Sequence, residues 1–182
     1  MNIAQMWESR YAKGGDSGRG SRGVNARVKA KRINRTIVDH GIVNVVDWGC
    51  GDGQVASLID ADCYLGVDPS RTALNRAVDR CGRRPGWSWL HIELHRPPDF
   101  TVDADLSLSC DVIFHLTDER SYRQHLGWLF TAPRVLVHAT DYDTEPERHM
   151  RHHRFTDDVP SNYRLLSRPD DPHTPGFYEF AR

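Results

Sequence analysis

A chain of 182 residues, 38% of them hydrophobic, is long enough for one domain with a real core, and no Pro/Gly-rich linker divides it. A formal net charge of -1 and a pI near 6.8 exclude a global electrostatic drive toward nucleic acid or an anionic membrane, and no apolar run approaches the ~18 residues that span a bilayer. Four cysteines without a C-x-x-C pair exclude a zinc knuckle or a disulfide framework and, with no amino-terminal apolar leader, predict a cytoplasmic protein with free thiols.

Residues 1–25 form the first segment. Trp7 and Tyr11 stand at helical spacing, and five glycines between Gly14 and Gly23 alternate with Ser and Arg. Such a stretch cannot bury a core alone. It reads either as a flexible tail or as a small docked helix followed by a loop that folds over something. From residue 26 to 182 the pattern is that of one domain. Apolar periodicity predicts a helix over 26–40, a strand over 42–47, a helix over 54–60, a strand over 63–67 and a helix over 70–80. Strands follow at 88–92, 104–110 and 134–139, with a helix over 119–131 before the last. Alternating strands and helices predict a doubly wound, mostly parallel α/β sheet. The tail differs: a short helix over 155–159, then strands at 163–167 and 177–180 across a Pro/Asp-rich turn, predicts a terminal antiparallel hairpin.

Two strand ends carry the chemistry. The strand at 42–47 ends in Asp47, after which Trp48 and the alternating Gly49, Gly51 and Gly53 let the backbone turn tightly and leave main chain bare to a ligand. The next strand ends in Asp68, where a carboxylate can take two hydrogen bonds from a ribose diol. A pyrophosphate loop usually reads G-x-G-x-x-G. Here an acid stands two residues before G-C-G-D-G, which would repel a diphosphate and suits a ligand with a cationic amino acid end.

In these residues the chain resembles the class I S-adenosylmethionine-dependent methyltransferases, whose motif is an acid followed by G-x-G-x-G. The resemblance implies a Rossmann-like, seven-stranded sheet with a reversed last strand and S-adenosyl-L-methionine as cofactor. It places Asp47 near the methionine moiety, Trp48, Gly49, Gly51 and Gly53 along the cofactor, and Asp68 on the ribose hydroxyls. The opening W-x-x-R-Y-x-x-G-G-x-S-G-x-G-S-x-G, with D-x-G-C-G-D-G, Y-L-G-x-D and R-H-x-R-F-T, is similar over nearly the whole chain to a small subfamily of bacterial and phage enzymes. Segments placed like 1–25 commonly form a lid in such enzymes. The strand at 104–110, followed by Asp111 and Phe114-His115-Leu116, resembles the family's acceptor-side motif, which makes Asp111 and His115 candidates to touch the acceptor. His115 is either a general base or a residue that caps the next helix and packs beneath the cofactor.

His138 and Asp141 fall at another strand tip and are further candidates, His138 as an alternative base. Trp48, Trp87 and Trp89 are candidates to stack on adenine or to fill the core. In the run 147–156, Arg148, Arg151, His152 and Arg154 suit a phosphate or carboxylate of the acceptor, and Tyr11 suits acceptor contact from the lid; a solvated basic helix is the plainer reading of that run. His149, His152 and His153 lack a cysteine to complete a tetrahedral metal set. The expected reaction is methyl transfer to O or N of a small polar acceptor, such as a sugar, nucleotide or other metabolite. Duplex DNA is disfavoured, since neither N-P-P-Y nor a Pro-Cys loop is present. The alternative is a catalytically silent methyltransferase fold that binds the cofactor or a partner. The sequence does not fix the oligomeric state.

Overall fold

The computed structural model describes residues 2–96, 102–147 and 149–182. Seven strands form one sheet: β1 (Asn44–Trp48), β2 (Cys63–Asp68), β3 (Trp87–His91), β4 (Leu106–Cys110), β5 (Arg134–Ala139), β6 (Arg164–Ser167) and β7 (Gly176–Ala181). Their order is β3-β2-β1-β4-β5-β7-β6. The first five run parallel, while β7 enters antiparallel between β5 and β6, so the expected hairpin closes the sheet. Strand order reverses between β1 and β4, and a doubly wound sheet opens a crevice at the carboxyl ends of such a pair.

Side-chain alternation divides the core between the two faces. Val135 and Val137 join Trp48, Tyr122, Leu126 and Phe155 on one side, while Leu136 joins Ile33, Ile37, Leu106 and Leu108 on the other. Helix α1 (Ile3–Ala12) precedes the sheet, and helix α2 (Gly23–His40) buries Ala26, Ala30, Ile33 and Ile37 at helical spacing. Helix α3 (Arg71–Cys81) follows β2 with Ser70 as its cap, and helix α4 (Glu119–Leu129) follows β4 with Asp118 as its cap.

Two predicted helices are corrected. The segment 54–60 forms only a 3-10 turn, Ala56–Leu58. The chain must return along the sheet to start β2, and the nine residues 54–62 would rise only about 13 Å as a helix against the roughly 17 Å of a five-residue strand, so an extended path is required. Residues 149–154 are not helical either. Glu147 and Met150 pair as a bridge, and the N–H groups of Arg151 and Thr144 bond to Phe114 and His152. Arg148 lies outside the described residues. No helix among the described residues is long and apolar enough to cross a membrane.

Candidate active site

The strand tips of β1, β2 and β4 line a cleft of about 970 Å³, counting space open to solvent. Asp47, on β1, is 4% exposed. Its Oδ2 accepts the Tyr64 hydroxyl at 2.7 Å, whereas its Oδ1 is buried without a partner among the described residues. Burial pushes the carboxyl up to about 6, and the Tyr64 bond only partly opposes this. Leaving a charged oxygen dry and unpaired is costly, so Oδ1 is chemically suited to take a cationic or hydrogen-bond-donating group.

Asp68 ends β2. Its Oδ2 accepts the Gly51 N–H at 2.9 Å and its Oδ1 the Ser70 N–H at 2.8 Å, which spans the glycine turn and the start of α3. Burial raises it to about 7 against these two bonds. Each oxygen keeps a lone pair for a diol. Gly51 itself has φ +57°, and a Cβ there would overlap Ser17 Oγ, so the turn needs glycine for its conformation and for the contact made on top of it. Trp48 is 2% exposed, lines the cleft, donates Nε1–H to Ser107 Oγ at 3.0 Å and stacks on Trp128 at 5.4 Å. Gly49 lines the cleft beside it; Gly53 instead packs against α3, where a Cβ would stand 2.9 Å from the Ala77 Cα. Trp87 and Trp89 pack with Tyr64 instead, outside the cleft.

The amino-terminal segment lies across this cleft. Ile3, Ala4, Trp7, Tyr11, Ser17 and Ser21 line it. Glu8 accepts from Ser70 Oγ at 2.7 Å and Thr72 Oγ1 at 2.5 Å, and Arg76 donates to the carbonyls of Tyr11 and Gly15. The Tyr11 hydroxyl bonds Ser17 Oγ at 2.8 Å, and Ser17 donates to Asp52 at 2.6 Å beside the glycine turn.

At the β4 tip, Asp111 lines the cleft in a left-handed conformation, φ 59°. Burial raises its carboxyl, but His138 and Lys29 more than offset this and hold it below the ordinary range. His138 is not a lining residue; its Nδ1 bonds Asp111 Oδ1 at 2.6 Å, so it reaches the cleft through Asp111. His115 lines the cleft, its ring edge against Trp7 at 4.9 Å. Its Nδ1 faces the His149 carbonyl at 3.1 Å, and a carbonyl only accepts, so the proton sits on Nδ1 and Nε2 carries the lone pair. Burial pushes this imidazole down to about 4. It does not cap α4, since Asp118 holds that position through the Ser121 N–H.

Other predicted positions lie elsewhere. Arg151 stands 3.8 Å from Glu119, His152 bonds Thr140 Oγ1 at 2.5 Å and stacks on Tyr142, and the exposed Arg154 sits 3.9 Å from Asp143. None of the three lines the cleft. Asp141 accepts from Thr156. The three histidines of that run point to different partners, and among the described residues no group of three His, Cys, Asp or Glu side chains could hold a metal. Lys29, His125 and Trp128 were not singled out as site residues. Lys29 was detectable, because it falls on the apolar stripe of α2 between Ala26 and Ile33.

Strand order, reversed β7 and a cleft at the β1/β4 switch define the class I methyltransferase fold. Neither a protein-family model nor a curated protein matches the chain in sequence, but solved structures match it in shape. The methyltransferase domain of bacterial CtHen1 superposes with a TM-score of 0.67 at 22% identity, covering 87% of this chain and 98% of that one. The N-methyltransferase NodS from Bradyrhizobium japonicum, bound to S-adenosyl-L-homocysteine, gives 0.70 at 16% identity, covering 100% and 98%. Magnesium protoporphyrin IX methyltransferase from Synechocystis, with bound S-adenosylmethionine, gives 0.64 at 15%, covering 100% and 98%. At these identities the likeness is one of fold.

Proposed function

We propose that this protein is an S-adenosylmethionine-dependent methyltransferase acting on O or N of a small polar acceptor. The observation that carries the reading is the unpaired, buried Asp47 Oδ1, set across the glycine turn from Asp68 in one cleft. A donor set of this kind fits a ligand with an ammonium at one end and a ribose diol at the other. Asp47 takes the ammonium, Asp68 the diol, the main chain and Trp48 at Trp48–Gly51 lie along the ligand, and Pro69, Ile92 and Leu94 provide an apolar wall for the base.

When bound, the cofactor supplies a methyl group activated on a sulfonium. The chain aligns the acceptor and excludes water, and residues 3–22 serve as the lid that does so. His115 Nε2 is unprotonated at neutral pH and accepts the proton of a hydroxyl acceptor, while Asp111, backed by His138, orients the acceptor. Tyr11 bounds the same space from the lid, whereas Arg151, His152 and Arg154, on the loop beyond β5, do not line it and are given no part in holding the acceptor. Four unbonded cysteines agree with a reducing, cytoplasmic setting.

Calorimetric titration with S-adenosylmethionine and S-adenosylhomocysteine tests the reading. Saturable binding in the wild type, weakened in Asp68→Ala, supports it; no binding by the wild type overturns it. A homocysteine-release assay over sugars, nucleosides and amines then separates an enzyme from a silent binder.

A further inference from the structure

Helix α2 turns one cation inward. Lys29 lies on the apolar stripe with Ala26, Ala30 and Ile33, and its side chain is 3% exposed. Its ammonium donates to the Gly20 carbonyl at 2.8 Å and to Asp111 Oδ2. The other oxygen of Asp111 takes the His138 Nδ1–H at 2.6 Å. A buried ion pair is a poor way merely to fill space, because an apolar pair of the same volume is usually at least as stable.

The partners come from separate parts of the chain. Gly20 belongs to the lid, Lys29 to α2, Asp111 to the β4 tip and His138 to β5. Contact between the first and third is close: a Cβ on Gly20 would overlap Asp111 Oδ2 and stand 3.6 Å from the Lys29 ammonium. Asp111 also holds a left-handed backbone, which its neighbours must maintain.

We propose that Lys29 is a positioning residue that joins closure of residues 18–22 to the setting of Asp111 at the acceptor side of the cleft. With the segment down, the ammonium has both partners and the carboxylate is charged and fixed. With the segment lifted, the Gly20 carbonyl leaves, water reaches the pair, and Asp111 is free to turn. Acceptor orientation and lid closure are then one event. This inference rests on reading residues 3–22 as the lid of the proposed methyltransferase.

The test uses the full chain with Lys29→Met and with the double variant Lys29→Met/Asp111→Asn. The double variant removes both charges, keeps an acceptor for His138, and retains a residue type that tolerates the left-handed backbone. Amide exchange is followed at Ser21 and Arg22, whose N–H groups bond Gly18 and Arg19, and at Gly14 and Gly15, which bond Tyr11 and Arg10. The expected result is a double variant that melts near the wild type yet exchanges at Ser21 and Arg22 at least tenfold faster, with less than twofold change at Gly14 and Gly15, in the stretch that Arg76 ties down separately. Wild-type exchange at Ser21 and Arg22 in the double variant would reduce Lys29 to a charge partner. Equal acceleration throughout β1 and β4 would make its role merely structural. Both results overturn the proposal. S-adenosylhomocysteine calorimetry on the wild type runs alongside: a failure to bind strikes the cofactor reading and leaves the exchange result standing.

Discussion

Replacing Asp47 by Asn should stabilise the protein and weaken its ligand. The carboxyl is raised from an ordinary 3.8 to about 6 by burial, so the folded state favours the protonated form. Its contribution is fully present below the unfolded value and is lost as pH rises through about 6. At pH 8 the ionised group therefore costs about 3 kcal/mol. Asn keeps an acceptor for the Tyr64 hydroxyl but sets an unpaired amide N–H where Oδ1 was, which costs about 1–2 kcal/mol. A net gain of about 1–2 kcal/mol corresponds to a melting temperature about 3–6 °C higher at pH 8. The difference between variant and wild type should shrink toward pH 5. It must be read as a difference, because His115 and His125, both pushed down to about 4 by burial, destabilise the fold below about pH 6.5 in both proteins. The ligand moves the other way. Losing a charge-assisted bond of about 1.5–3 kcal/mol weakens S-adenosylhomocysteine by about 10- to 100-fold. 5′-Methylthioadenosine has no ammonium and should change by less than about twofold. Melting curves at pH 8 and pH 5, with calorimetry of both ligands, decide the matter. A variant that melts lower at pH 8, or loses both ligands equally, refutes the role of Oδ1.

Three further outcomes are expected. Asp68→Ala frees the N–H groups of Gly51 and Ser70 and removes the diol's acceptor, so calorimetry should show S-adenosylhomocysteine and 5′-methylthioadenosine weakened alike, by about 10- to 100-fold. Gly51→Ala forces a methyl onto Ser17 at a φ of +57°, costing about 1–2 kcal/mol for the backbone alone, and should lower the melting temperature while speeding exchange in residues 11–22. His115→Ala should leave S-adenosylhomocysteine affinity within about twofold but slow transfer to a hydroxyl acceptor by about 10²- to 10⁴-fold; with its imidazole pushed down to about 4, the wild-type rate should show no limb from this residue between pH 5.5 and 8.

The strand tips were legible because they are local. Asp47 and Asp68 close short apolar runs, the alternating glycines punctuate the first of them, and alternation of strand and helix dictates the parallel order. What stayed hidden depends on distance in space. Whether 54–60 can be a helix is decided by the length of sheet it must traverse. The backbone of 149–154 finds Phe114 and Thr144 rather than its own preceding turn, so composition alone misread it. The Lys29–Asp111 pair joins residues 82 apart, and only the stripe on α2 hinted at the buried cation.

The position of the amino-terminal segment against the cleft also bears on how the molecule is made. Helix α1 is synthesised before the sheet, and the groups that fasten it arrive much later: Ser70 and Thr72 for Glu8, 62 and 64 residues on, and Arg76 for Gly15, 61 residues on. Until β2 and α3 exist there is nothing to hold it, and contacts of such long sequence separation are slow to form. A segment synthesised ahead of β2 and α3 thus docks only after them.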